Sequence, residues 1–212
     1  MRSLTRRTAL AAVAATAALS LTLTACGSDD SGSSGHSGHD STSKTTASAG
    51  ASAPAGKHNE ADVSFAQGMI PHHRQAVEMA GLAATRASSA QVKKLAADIK
   101  KAQDPEIRTM SGWLKAWGEK VPEAMPGMDH SQHEGMPGMM SSKEMEELKK
   151  ASGAAFDTAF LKMMVQHHKG AVEMAGTEKQ KGAYGPAKTM ADDIIKTQNE
   201  EITEMNKLLS KS

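Results

Sequence analysis

From residue 59 onward, apolar positions recur every three or four residues. Phe65, Met69, Ala76, Met79 and Ala83 fall on one line, with His72 among them, which is the period of a single helix face. A second run spans about 89–117 and passes through Val92, Leu95, Ile99, Ala102, Glu106, Met110 and Trp113. Pro71 falls inside the first run and predicts a kink, because it has no N–H for the carbonyl four residues earlier. Pro126, Gly135 and Pro137 punctuate a loop over residues 122–140. A short helix is predicted over 142–150, with Ser142 as its N-cap. Two longer helices are expected over about 154–179 and 186–209.

The last two helices repeat the first two. A shift of about 95 residues aligns Asp62 with Asp157, Phe65 with Phe160, His72-His73 with His167-His168, Gln103 with Gln198 and Met110 with Met205. About 20 of about 49 aligned positions are identical, well above chance for helical sequence. Two related helical hairpins can bury their apolar faces against each other, so the expected fold is all-α, a four-helix bundle of duplicated hairpins.

Composition changes this picture in two respects. Aromatic residues make up only 3% of the 212, whereas methionines number 15, so the core must rely on aliphatic and thioether side chains. The first residues read MRSLTRRTALAAVAATAALSLTLTACGS: a basic start, then an apolar run too short and Ala-rich to span a membrane. Leu23-Thr24-Ala25-Cys26 resembles a bacterial lipobox, and Cys26 is the only cysteine. Residues 1–25 are therefore expected to be a removed signal peptide. Residues 26–58 would be a lipidated cysteine and a flexible Ser/Gly-rich tether, and 59–212 the helical domain. Removing Arg2, Arg6 and Arg7 from the 25 basic residues leaves 22 against 24 acidic ones, a net charge of −2. That excludes a basic footprint for nucleic acid.

The candidate chemistry lies in the repeated phrase. Met69 precedes His72 by three and His73 by four, the spacings that bring side chains together on a helix. Met164, His167 and His168 form the same set. Adjacent residues point about 100° apart, so the two histidines of a pair are expected to straddle the edge of the apolar face. Di-iron bundles place a glutamate three residues before the histidine. Methionine stands there in both copies, and a thioether suits copper(I) rather than iron. Met79 and Met174 are either further ligands or core. Asp98, Gln103 and Glu106, with Asp193, Gln198 and Glu201, would supply hydrogen bonds to the imidazoles or form surface salt bridges. Glu78 and Glu173 repeat too, but lie off the histidine face. In the loop, Met125, Met128, His130, His133, Met136, Met139 and Met140 sit where no helical core explains them, and suit copper(I) or silver(I). No nucleophile with a positioned base and no phosphate loop is evident, so no enzymatic turnover is expected.

The phrase MIPHH followed by Ala76, Met79 and Ala80, and its second copy Met164 to His168 with Ala171, Met174 and Ala175, resemble the bacterial domain-of-unknown-function family 305. The second copy carries Gln166 in place of the proline. This resemblance implies a ferritin-like helical domain and copper handling by an exported protein. The expectation is a lipid-anchored copper-binding protein on the outer face of the cell membrane, with copper(I) favoured over copper(II) and a copper transporter or chaperone as partner. The alternatives are a ferritin-like metal oxidoreductase and a metal-independent structural or sensory lipoprotein.

Overall fold

The computed structural model describes residues 56–123 and 135–211. Cys26, the signal peptide, nearly all of the tether, and Met125, Met128, His130 and His133 lie outside the described residues. Five helices follow in order: α1 (Glu60–Arg86), α2 (Ala90–Trp117), α3 (Ser142–Lys150), α4 (Gly153–Lys181) and α5 (Gly185–Leu209). Among the described residues there is no strand, only an isolated bridge between Ala87 and Gly153.

Local chemistry sets the helix ends. Asn59 caps α1 in a reciprocal box: its side chain accepts from the Ala61 and Asp62 amides, and Asp62 accepts from the Asn59 amide. Ser89 caps α2, which ends at Gly118 in the left-handed region, with φ 77°. The cap of α3 is Ser141, boxed with Glu144, so the N-cap precedes the expected Ser142 by one residue. Glu144 answers the backbone amide of Ser141. Pro71 lies within α1 without ending it. The helix continues on either side because both flanks are buried.

The long helices pair as α1 with α2 and α4 with α5, and the hairpins join through α1 and α4. The expected four-helix bundle holds only in this looser form, since α2 and α5 meet at few residues. The duplication is reciprocal at the hairpin turns. Asp157 of α4 accepts from the backbone amides of Ser88 and Ser89 in the α1–α2 turn. Asp62 of α1 accepts from Ala183 and Tyr184 in the α4–α5 turn. Each hairpin thus ties down the turn of the other.

Two apolar clusters fill the core. One holds Ala76, Met79 and Ala83 of α1, Val92 to Ile99 of α2, Phe156, Phe160 and Met164 of α4, and Met205 and Leu208 of α5. The other holds Phe65, Met69 and Ile70 of α1, Met110 and Trp113 of α2, Ala171 and Ala175 of α4, and Ala187 to Ile194 of α5. On each long helix one cluster stops and the other begins, leaving a polar stretch between.

Candidate metal centre

That stretch is a polar layer crossing all four long helices. It holds His72, His73 and Gln75 on α1, Gln103 and Glu106 on α2, His167 and His168 on α4, and Gln198 and Glu201 on α5. All four histidines have no exposed surface. They do not straddle a solvent edge as expected, because α1 and α4 are covered on two sides. One member of each pair faces the other hairpin and its neighbour faces its own hairpin's second helix. The 100° step between adjacent residues produces this division.

His72 and His167 face each other across the α1–α4 seam, with ring centroids 3.8 Å apart and planes tilted by 42°. His73 Nε2 lies 2.8 Å from Glu106 Oε2, and His168 Nε2 lies 2.6 Å from Glu201 Oε2. The two carboxylates are partly exposed, at 22% and 14% of their side chains. His72 Nε2 lies 3.0 Å from the Pro137 carbonyl. Carboxylates and carbonyls only accept, so Nε2 carries the proton in His72, His73 and His168. The other ring nitrogen, Nδ1, is buried in each of the three.

Those Nδ1 atoms have no hydrogen-bond partner, and neither ring nitrogen of His167 has one. The buried amides of Gln103 and Gln198 also hold unpartnered atoms. An unsatisfied buried polar group costs about 1–3 kcal/mol, so a layer holding several calls for a ligand or another reason. Burial, reinforced by the adjacent His73, pushes the His72 imidazole down to about 3. Burial and the neighbouring imidazoles, His72 first, hold His167 well below its ordinary value. Both rings are therefore neutral at physiological pH, the form that ligates a cation.

Met69 and Met164 are fully buried, one at the border of each apolar cluster, a helical turn before their histidines. Among the described residues no three histidine, cysteine, aspartate or glutamate side chains group as a metal site. The donors available in and beside the layer are imidazoles and thioethers, which suit a soft monovalent cation rather than iron or magnesium. The structure brings together His72 and His167. His73 and His168 are engaged with carboxylates beside that pair.

Other expected residues lie elsewhere. Asp98 and Asp193 are exposed, and Asp98 pairs with Lys94 at 2.5 Å, so neither reaches the layer. A position five residues before Gln103 or Gln198 lies on the opposite side of the helix. Met79 belongs to the core, whereas Met174 is half-buried beside Gly68. Glu78 pairs with Lys149 at 3.2 Å, and Glu173 is exposed. Met140 is core as well, at 6% exposure, contrary to the reading of the loop methionines as outside any core. Gln75 holds it there: Met140 N donates to Gln75 Oε1 at 2.7 Å, and Gln75 Nε2 donates to the Met140 carbonyl at 2.8 Å. Met136 and Met139 remain half-buried.

The sequence reading missed Gln75, and also the role of Asp62. Asp62 faces Glu178, whose carboxyl is pushed up to about 8 by burial and by the proximity of Asp62. Burial would raise Asp62 too, but hydrogen bonds from the Tyr184, Asn59 and Ala183 amides hold it below its ordinary value. The alignment of Asp62 with Asp157 was the available signal.

A family model described as a domain of unknown function, DUF305, matches residues 62–209. A candidate secreted DUF305 protein from Streptomyces coelicolor is 34% identical, with a TM-score of 0.63 over 71% of this chain and 93% of its own. CopM is 35% identical in its Cu(II)-bound form, with a TM-score of 0.61, and 32% identical in its Cu(I)-bound form, with a TM-score of 0.58. Both comparisons cover 71% of this chain and 96% of CopM. Among curated proteins none matches.

Proposed function

The chain belongs to the DUF305 family, and from that premise we propose that it is a copper-binding protein that sequesters or passes on copper outside the cytoplasm. The observation that carries this reading is the buried layer of imidazoles whose inward nitrogens lack hydrogen-bond partners, with two buried thioethers one helical turn before the histidines. CopM, of the same fold and about one-third identical, binds copper in both oxidation states. Copper(I) is the favoured cargo because Met69 and Met164 border the layer and soft donors prefer it. His72 and His167 would hold the ion, while His73 and His168 are oriented by Glu106 and Glu201.

The same reading makes the protein a binder rather than an enzyme, lipid-anchored through Cys26 on the outer face of the membrane, with a copper transporter or chaperone as partner. Its support is the lipobox-like Leu23 to Cys26 and the candidate secreted relative. Among the described residues no helix is long and apolar enough to cross a membrane. An anaerobic copper(I) competition titration against a chromogenic chelator tests the binding. The wild-type protein should strip copper from the chelator, and His72→Ala with His167→Ala should abolish this. Undiminished binding by the double variant would refute the site.

A further inference from the structure

Residues 135–140 form a short strap across the α1–α4 seam, over the His72–His167 pair. Three features hold it. The His72 Nε2–H donates to the Pro137 carbonyl. The Gln75 amide clasps both backbone groups of Met140. Gly170 leaves room for the chain to pass, since a Cβ there would overlap the Pro137 carbonyl. The strap is shaped for this seat: Gly138 has φ +76°, and a Cβ on it would come within 2.6 Å of the Gln166 carbonyl and 2.9 Å of that of His167.

Gln75 and Gly170 occupy the same position of the repeat, about 95 residues apart, three residues after His72 and His167. The duplicated site has diverged into a polar clasp on one helix and a vacated seat on the other. Both residues serve the strap. The histidines beneath have no exposed surface. A cation can reach them only if something over the layer moves. The helices are held by two apolar clusters along their length, whereas the strap is held by a few hydrogen bonds, a close backbone contact and one core side chain, Met140. It is the element that opens at least cost.

We propose that residues 135–140, clasped by Gln75 and seated on Gly170, are the gate through which a soft monovalent cation enters and leaves the His72–His167 pair. This rests on the metal-binding reading of that pair. Opening breaks the hydrogen bond from His72 to Pro137 and frees the ring to turn toward an arriving ion. The half-buried Met136 and Met139 ride on the strap, where thioethers meet the cation first.

The test uses the full chain with copper(I) delivered anaerobically from a chelator, followed by stopped flow, beside hydrogen exchange of the Met140 amide without metal. Gln75→Leu removes the clasp at similar volume, and Gly170→Ala fills the seat. Gly176→Ala is the control, because a Cβ there meets nothing. Both strap variants should exchange the Met140 amide about tenfold faster and take up and release copper about tenfold faster, as expected for lost hydrogen bonds. The equilibrium affinity should stay within about threefold. If Gly170→Ala does not fold, Gln75→Leu decides the matter. Faster exchange with unchanged copper rates would overturn the gate alone, and unchanged exchange in both variants would show that these residues do not hold the strap. Failure of the wild-type protein to take up copper would instead remove the metal-binding reading, and the gate with it.

Discussion

His72 and His167 stand ring against ring at 3.8 Å between their centroids, wholly buried, one from each half of a duplicated chain. Two imidazoles forced together in an apolar interior repel each other's charged forms and leave nitrogens unsatisfied. A fold selected for stability alone would place leucine or methionine there. The arrangement makes sense if the layer is completed by something the chain does not supply.

This yields the first prediction. His167→Leu removes two unpartnered nitrogens, each costing about 1–3 kcal/mol, and replaces them with an apolar group that suits the core. Without metal, the melting temperature should stay unchanged or rise by roughly 2–8 °C. Copper(I) affinity should fall by at least about a hundredfold, or roughly 2.8 kcal/mol. Thermal melting paired with the chelator titration checks both halves. A lower melting temperature with intact copper binding would make His167 a packing residue.

The second prediction concerns the carboxylates behind the layer. Glu106 and Glu201 hold His73 and His168 by equivalent contacts of 2.8 and 2.6 Å. Glu106→Gln and Glu201→Gln keep the shape but weaken the acceptor that orients each ring. Each should lower copper affinity by about 10–100-fold while leaving helicity unchanged. Circular dichroism with the same titration separates this from misfolding, and equal affinity in both variants and the parent would confine the carboxylates to a structural role.

Much of this was legible because the repeat and the helical period are properties of the chain itself. The long helices and the opposition of the two histidine pairs follow the 95-residue shift, whereas which of Asp98, Gln103 and Glu106 meets an imidazole did not. What the pattern could not say is which of two adjacent histidines faces which neighbour. That depends on how many sides of a helix are covered, a tertiary fact. Asp98 and Gln103 both recur in the repeat, yet only Gln103 points inward, since recurrence marks descent from one hairpin and not orientation. Met140 read as a loop methionine because its burial depends on Gln75, a partner 65 residues away. Pro71 lies inside α1, as the helical period around it implied.

The third prediction follows from Glu178. Its folded-state carboxyl titrates at about 8 against an ordinary 4.5. Between those values the folded protein holds one more proton than the unfolded chain. Stability from this group is therefore fully present below about pH 4.5 and is lost as pH rises toward 8. Asp62, held below its ordinary 3.8, acts only at lower pH. His72 opposes the trend below pH 6.5, because its folded value of about 3 makes folding favour the neutral ring as pH rises. Comparing Glu178→Gln with the parent cancels that contribution, because Asp62 and His72 are common to both. The variant keeps the shape of the side chain beside Asp62 without the titration. Its melting temperature should match the parent near pH 4.5 and exceed it by about 5 °C at pH 8. A constant difference across the range would show that Glu178 does not titrate in this window.

The last prediction separates glycines that the strap needs from those it does not. Gly81 and Gly176 end the two copies of the repeated phrase, inside α1 and α4, and a Cβ at either meets no atom within 4 Å. Neither has the left-handed backbone that would favour glycine. In such positions glycine only adds freedom to the unfolded chain, so Gly81→Ala and Gly176→Ala should each stabilise by about 0.5–1 kcal/mol. For a chain of this size each should raise the melting temperature by about 1–4 °C, and the two should add if they act independently. Gly170 lies on the same helix as Gly176, but its missing Cβ is the space that the Pro137 carbonyl occupies. Gly170→Ala should therefore fail to stabilise despite the same gain in helix propensity. Thermal melts of the three single variants under one buffer condition read this directly. Equal stabilisation at all three sites would mean that the strap does not rest on α4, because a side chain could then be added beneath it at no cost.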